Sequence, residues 1–453
     1  MIKKAKIYKA VLRGLWWMAT LFIVVCMLGL AVLQSPIVQK YLVDRVVESV
    51  ALHTRHQIKV GAVSLSWFDV GHLQDVELYD FEGELMAAAG EVAIDFDLLE
   101  LVKSRGLSLN ALTITNSSLH IVKYDDDTYL NLVAFINALK KDGEQKSLNI
   151  EVAEIRMEGM LFSFDDKRKL PIGDGRFDYS HFAFDVPTMH LADLSLRQDT
   201  IRCHIVQLMA DELGTGFSVD EAQGDFQFNS RSMVLSNAKI HTPHSIIGDS
   251  LSFSYRSPAA FASMVDSVTL DFKLKEIEVG VEDLRYFIPV GSFDIPVRMS
   301  ADVRGTMSHL TLDSISLHIG EATYFEGKAF FAGLPNLSNT FIDLQVKNAR
   351  LAQEDIGSFT GNRRIQSGEV SFRGNLLGFF TDFVADGTFV TRHGTIMSDI
   401  NLKLADTPEE TRYLGSLSIR DFNLGAFLGR PKEIGKVTFA GKVDGKGLTR
   451  ASA

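Results

Sequence analysis

Cysteine and proline are scarce in this chain of 453 residues, which holds two of the first and ten of the second. Cys26 lies inside the longest apolar run and Cys203 far along the body, so no intrachain disulfide is expected and packing alone must hold the fold. Few prolines leave few obvious linkers. A basic surplus is also missing: 46 Lys and Arg face 57 Asp and Glu, a net charge of −11, and no extended basic run follows the N-terminus. Phosphate binding needs clustered Lys and Arg, so a nucleic-acid surface is excluded. Wholesale disorder is excluded too, by 46% hydrophobic and 23% charged residues.

Catalytic signatures are equally lacking. There is no Gly-x-Ser-x-Gly elbow, no His-Glu-x-x-His and no phosphate-binding loop. His53-Thr54-Arg55-His56 and His241-Thr242-Pro243-His244 each offer two histidines at i, i+3, but neither has a third ligand close in sequence, and Pro243 breaks the helix that would aim the second pair. Both read as surface or turn residues. Asp125-Asp126-Asp127 lacks the glycine and terminal glutamate of a calcium loop and reads as a solvated turn, and Gly173-Asp174-Gly175 reads as a hairpin turn. The expectation is a protein that is not an enzyme, with no catalytic residue, metal or cofactor.

What is present begins with polarity along the chain. Residues 1–13 form a basic tail with Lys3, Lys4, Lys6, Lys9 and Arg13 and no acid; the rest carries 41 basic residues (46 less five) against 57 acidic ones, a net −16. Residues 14–33 carry no charge, and twenty helical residues span about 30 Å, the hydrocarbon thickness of a bilayer. This segment is too long for a signal peptide's apolar region and closes on Leu33, a poor cleavage residue, so an uncleaved anchor is expected. The five cations hold the N-terminus in the cytoplasm, Trp16 and Trp17 suit the interface, and the body lies outside the cytoplasm.

Residues 36–52 put Val38, Leu42, Val46 and Val50 on one helical stripe behind Pro36. From Gln57 the apolar period drops to two, in runs such as Val63/Leu65/Trp67, Leu112/Ile114 and Leu251/Phe253/Tyr255, which predicts a body built of strands. Leu132, Phe135, Ile136 and Leu139 interrupt with a short amphipathic helix over 131–140.

The second half repeats itself. Leu274-Lys275-Glu276-Ile277, Val346-Lys347-Asn348-Ala349 and Ile419-Arg420-Asp421-Phe422 stand 72 and 73 residues apart. Asp302-Val303-Arg304-Gly305, Ser371-Phe372-Arg373-Gly374 and Thr438-Phe439-Ala440-Gly441 follow at 69 and 67. Each unit should therefore be several strands plus a short helix, stacked edge to edge. A last unit only begun at Gly441–Ala453 makes the chain read as the N-terminal part of something longer, which an intact native mass of 50.2 kDa would refute.

The order of features resembles the AsmA-like/TamB superfamily of translocation and assembly module subunits. The resemblance rests on the anchor, the helix, Gln57-Ile58-Lys59-Val60-Gly61, Leu73-Gln74-Asp75-Val76-Glu77-Leu78 with Tyr79-Asp80-Phe81-Glu82-Gly83, and Leu107-Ser108-Leu109-Asn110-Ala111-Leu112-Thr113-Ile114. The closing stretch from Asp386-Gly387-Thr388-Phe389 through Tyr413-Leu414-Gly415-Ser416-Leu417 to Asp421-Phe422-Asn423-Leu424-Gly425 resembles forms found in Bacteroidota. It implies a mainly β, elongated, repetitive and curved sheet groove of the β-taco kind, anchored in the bacterial inner membrane with a periplasmic body. It further implies phospholipid transport to the outer membrane, or assembly and secretion of outer-membrane proteins and autotransporters with an Omp85-type barrel such as TamA. The C-terminal domain that meets that barrel is missing from these residues.

Set out by position, the expectation is a cytoplasmic tail over 1–13, an anchor over 14–33, an AsmA-like β unit with helices over 34–145, a β-sheet continuation over 146–265, and repeats of about 70 residues over 266–453. The 31 Phe, against 13 Tyr and Trp together, suit a lining for acyl chains. Candidate lining residues are Phe226, Phe228, Leu251, Phe253, Tyr255, Phe272 and Leu274. Three functions stay open: a phospholipid conduit, a holdase whose sheet edges pair with incoming strands, and an anchored β-sandwich module. Which face is lined also stays open, because a slip of one residue exchanges the two faces.

Overall fold

The computed structural model describes residues 35–65, 70–97, 107–124, 130–139, 149–287 apart from 174, 297–352 apart from 321, 369–427 apart from 406 and 408, and 432–447. The anchor, its flanking Lys3, Lys4, Lys6, Lys9 and Arg13, and Trp16 and Trp17 lie outside the described residues, as do Trp67 and Asp125-Asp126-Asp127. Among the described residues no helix is long and apolar enough to cross a membrane.

Helix α1 runs over Pro36–Thr54, with Pro36 in its first turn and Arg55 closing it in the left-handed region at φ 60°. Four strands follow: β1 Ile58–Leu65, β2 Val70–Tyr79, β3 Leu85–Asp95 and β4 Leu107–Lys123. After them comes helix α2, Asn131–Leu139. The strands continue with β5 Ile150–Asp166, β6 His181–Arg197, β7 Thr200–Glu212, β8 Ser218–Phe228, β9 Ser232–His241 and β10 Ile246–Ser254. A 3-10 turn Pro258–Ser263 and helix α3, Met264–Ser267, lead to β11 Thr269–Val279, and helix α4, Val281–Leu284, follows it. The rest are β12 Val297–Thr306, β13 His309–Ile319, β14 Thr323–Ala332, β15 Phe341–Leu351, β16 Val370–Phe379, β17 Asp382–Thr391, β18 Gly394–Lys403 and β19 Arg412–Asn423. Helix α5, Leu424–Phe427, and β20, Lys436–Lys446, close the series. All twenty strands belong to one open sheet, and each described pairing joins strands consecutive in sequence, antiparallel. No second sheet is present among the described strands.

By internal packing the chain forms two units, one of residues 1–122, 129–162 and 192–198, the other of 123–128, 163–191 and 199–453. In the first, α1 packs along β1 and against α2. Lys40 Nζ donates to the Gly61 carbonyl at 3.0 Å and the Val60 carbonyl at 3.4 Å, in a strand whose one described partner is β2. Asn131, fully buried, donates through Nδ2 to Asp80 Oδ2 and the His120 carbonyl and accepts from the Val122 and Leu132 N–H groups through Oδ1. One side chain thus starts α2 and ties it to β4 and to the β2–β3 turn.

Regular strands alternate faces, yet many strands here place apolar residues three apart. Leu274 stands opposite Ala301, and Ile277 opposite Met299, so an extra residue on β11 returns both Leu274 and Ile277 to one face. They are 9% and 4% exposed. Glu276 takes up the excess in the left-handed region at φ 50°. The same device recurs at Leu235-Ser236-Asn237-Ala238, Leu312-Asp313-Ser314-Ile315 and Ile419-Arg420-Asp421-Phe422, where the third residue has φ between 51° and 53°. Val346-Lys347-Asn348-Ala349 on β15 shifts register at the same place. The first repeat marker is therefore a β-bulge, carried once on each of β11, β15 and β19.

The second marker needs correction. Leu274 faces Ala301 while Val346 faces Gly374, so Gly374 corresponds to Ala301, and Gly305 corresponds to Gly378, four residues further along. Ile419 faces Phe439, two residues short of Gly441. Strand β16 carries glycine at both 374 and 378, and a match of glycine to glycine falls on the nearer one. Gly305 is itself constrained: its φ is 116°, and a Cβ there would run into the His309 carbonyl oxygen.

Candidate functional site: the apolar sheet face

The register resolves which side chains share a face. Starting from Cys203 on β7, directly opposed residues run Phe226, Leu235, Leu251, Phe272, Val303 and Leu312 across β8 to β13. They continue as Ala329, Leu344, Leu376, Ala385, Ile400, Gly415 and Val443 to β20. A second row, two residues along, runs Ile201, Phe228, Met233, Phe253, Leu270, Gly305, Leu310, Phe331, Ile342, Gly378, Phe383, Leu402, Tyr413 and Gly445. Across fourteen strands neither row holds a charged side chain. The opposite face reads Arg202, Gln227, Val234, Ser252, Asp271, Arg304 and Thr311 over β7 to β13. It carries cross-strand pairs such as Lys328 with Asp313 at 3.0 Å and His204 with Asp225 at 2.9 Å. One face is apolar, the other solvated.

Six of the seven candidate lining residues share this apolar face. Phe226, Phe228, Leu251, Phe253 and Phe272 are half-buried, and Phe253 meets Phe272 edge to face at 5.1 Å. Leu274, 9% exposed, belongs to a cluster with Ile277, Ala301, Val303, Ile315 and Ala329, all from strands β11 to β14. Side chains here cover one another along the ladder. Tyr255 differs: it lies just past β10, is 7% exposed and packs under Phe261 of the 3-10 turn at 5.0 Å. Its hydroxyl donates to the Asn229 carbonyl at 3.0 Å, and burial pushes the phenol up to about 12. That makes Tyr255 a local core residue more than a lining one. Burial likewise raises the Cys203 thiol to about 11.

The remaining motifs resolve as turns and caps. His56 is buried, with Nδ1 2.7 Å from the Thr54 carbonyl and its ring edge-on to Phe135 of α2. His241 and His244 are exposed around the β9–β10 turn, where Thr242 and Ser245 donate their hydroxyls to the buried Asp283. Among the described residues no three His, Cys, Asp or Glu side chains converge as a metal would require. At the β5–β6 connection Asp166, fully buried, receives two Arg168 hydrogen bonds at 2.7 Å, and these hold its carboxyl below the usual range.

Residue spacing did not single out the rings gathered at one margin of the second unit. Phe177 stacks on Phe182 at 5.4 Å and approaches Phe184 at 6.3 Å, while Phe182 stacks near Phe164 at 5.4 Å. Phe287 lies 5.6 Å from Phe177 and 5.1 Å from Phe217. The excess of Phe was the one available sign, and it has no position attached to it. Set against models of protein families, against curated proteins and against solved structures, the chain matches none of them.

Proposed function

We propose that the apolar face of β7–β20 binds hydrocarbon, and that the protein is a membrane-anchored conduit moving phospholipid between inner and outer membranes across the periplasm. The observation that carries this reading is the pair of uncharged rows through fourteen consecutive strands: Cys203, Leu270, Val303, Ala329, Ile342 and Ala385 are buried, and the other positions are only half-buried where a dry core would be sealed by a second layer. Acyl tails would supply that layer, at about 0.8 kcal/mol per CH₂ removed from water, while head groups stay solvated. No residue need do chemistry. The curved β-taco groove, the anchor over 14–33, the cytoplasmic N-terminus and any docking to an Omp85-type barrel belong to this proposal.

Its test is native mass spectrometry of the purified full chain together with lipid transfer between vesicles. Co-purifying phospholipid is expected. Phe253→Arg, on the second row, should abolish transfer. Undiminished transfer by a folded Phe253→Arg protein would sink the reading, and capture of unfolded barrel proteins in place of lipid would favour the holdase.

A further inference from the structure

Behind β11 the chain turns back along one margin of the sheet. Gly280 N–H donates to Ser245 Oγ, and Asp283 accepts from Thr242 and Ser245, so the segment begins by locking onto the β9–β10 turn. Its next residues reach turns successively earlier in the chain. Tyr286 and Phe287 pack on Phe217 of the β7–β8 turn at 5.7 and 5.1 Å. Then the Tyr286 carbonyl accepts the Phe177 N–H at 2.7 Å, from the β5–β6 connection. Residues 280–287 thus bridge three hairpin connections.

The far end of this bridge lies on the apolar face. Ile205 opposes Gly224, Leu208 opposes Ala222 and Ala210 opposes Val219, which keeps Ala210 on the Cys203 side of β7. Glu212 N–H donates to the Phe217 carbonyl, so Phe217 stands two residues beyond Val219 on that side. Phe177 and Phe287 come from outside the strands and close over Phe182, Phe184 and Phe217. The aromatic contacts are apolar on both sides and the hydrogen bond from Phe177 N–H to the Tyr286 carbonyl joins the two arms, whereas the Asp283 anchor is buried and polar. Such a joint can part at the rings while the anchor holds. On the same connection Leu170 is 89% and Ile172 54% exposed, the first apolar groups an arriving chain would meet.

We infer that residues 175–180 and 280–287 form an aromatic lid at the β5–β8 margin, and that an acyl chain reaches the apolar face there by parting Phe177 from Phe287. This rests on the hydrocarbon-binding reading above. A lid controls rate and leaves capacity alone.

The full-length chain would be mixed with phosphatidylethanolamine/phosphatidylglycerol vesicles bearing a phospholipid labelled with nitrobenzoxadiazole on its acyl chain, and the fluorescence rise followed. Phe177→Ala with Phe287→Ala should load several-fold faster to the same final level. The Phe177 N–H and Tyr286 carbonyl are 2.7 Å apart, so Phe177→Cys with Tyr286→Cys puts two thiols on adjoining segments for oxidation in a Cys26→Ser, Cys203→Ser background. The oxidised form should load about tenfold more slowly and recover on reduction. Equal rates in the oxidised and reduced forms, with the unaltered chain loading normally, would overturn the lid alone. A lower final level in the alanine variant with no oxidation effect would do the same, making the rings mere lining. No loading by the unaltered chain would overturn the hydrocarbon reading and the lid with it.

Discussion

Single side chains set the geometry of the strands. Glu276 holds φ 50° with an exposed side chain, so its role is backbone shape. A β-branched residue fits that region poorly: Glu276→Val should cost about 1–2 kcal/mol, while Glu276→Asn should be neutral or stabilising. Thermal unfolding of the two variants checks this, and an unshifted midpoint for valine would contradict it. Asp166 is the complementary case, a fully buried carboxylate held by Arg168, and Asp166→Asn should cost about 2–3 kcal/mol. Its neighbours along the same margin share its direction. For Asp178 and Glu212 burial alone would raise the pKa, but N–H groups of Ile172 and Ser180 with His181, and the Thr215 hydroxyl and N–H groups, outweigh it and lower both. Carboxylates depressed in the fold contribute their stability above the unfolded value, about 4, and lose it as pH falls through the folded values. The protection of the Phe177 and Phe217 amides relative to the intrinsic exchange rate at each pH should therefore be high at neutral pH and fall below about pH 4. Protection unchanged down to pH 2.5, an acidity chosen to lie about 1.5 units below the ordinary carboxylate value, would refute it.

Among the elements, α1 and the bulged strands matter most. Lys40 supplies a donor to carbonyls of β1, a strand whose one described strand partner is β2 and whose other side meets α1. Lys40→Ala should therefore raise self-association over the unaltered chain in sedimentation velocity, and identical distributions would count against an edge-guarding role. Period-two runs such as Leu251-Ser252-Phe253-Ser254 made the strands legible, because over those four residues β10 pairs with β9 and β11 without a break in register. The bulges were legible as repeats and opaque as structure: Leu274 and Ile277 are three apart, a spacing that in isolation suits a helix, and only pairing with β12 shows why. The face could be chosen only once cross-strand partners were known, since Phe272 alternates with Asp271 and Lys273 and a slip of one would invert them. Phe177 and Tyr286 lie outside any strand and 109 positions apart, a contact that no local pattern encodes.

For the molecule as a whole, fourteen strands spaced about 4.8 Å apart give some 60 Å of apolar surface measured along the ladder, about twice the hydrocarbon thickness of a bilayer. A bilayer core holds two acyl lengths, so the face has room for several lipids at once. Native mass spectra should accordingly show stoichiometries above one phospholipid per chain, and strict one-to-one occupancy would argue for a discrete pocket instead. Cys203 gives this face an intrinsic reporter. It is the one sulfhydryl after residue 26, it begins the first apolar row, and with its thiol near 11 only about one molecule in ten thousand is thiolate at neutral pH. Alkylation by a water-soluble reagent should then proceed slowly, and more slowly still as the row fills, so that the kinetics of one native atom would time the loading of an unlabelled protein.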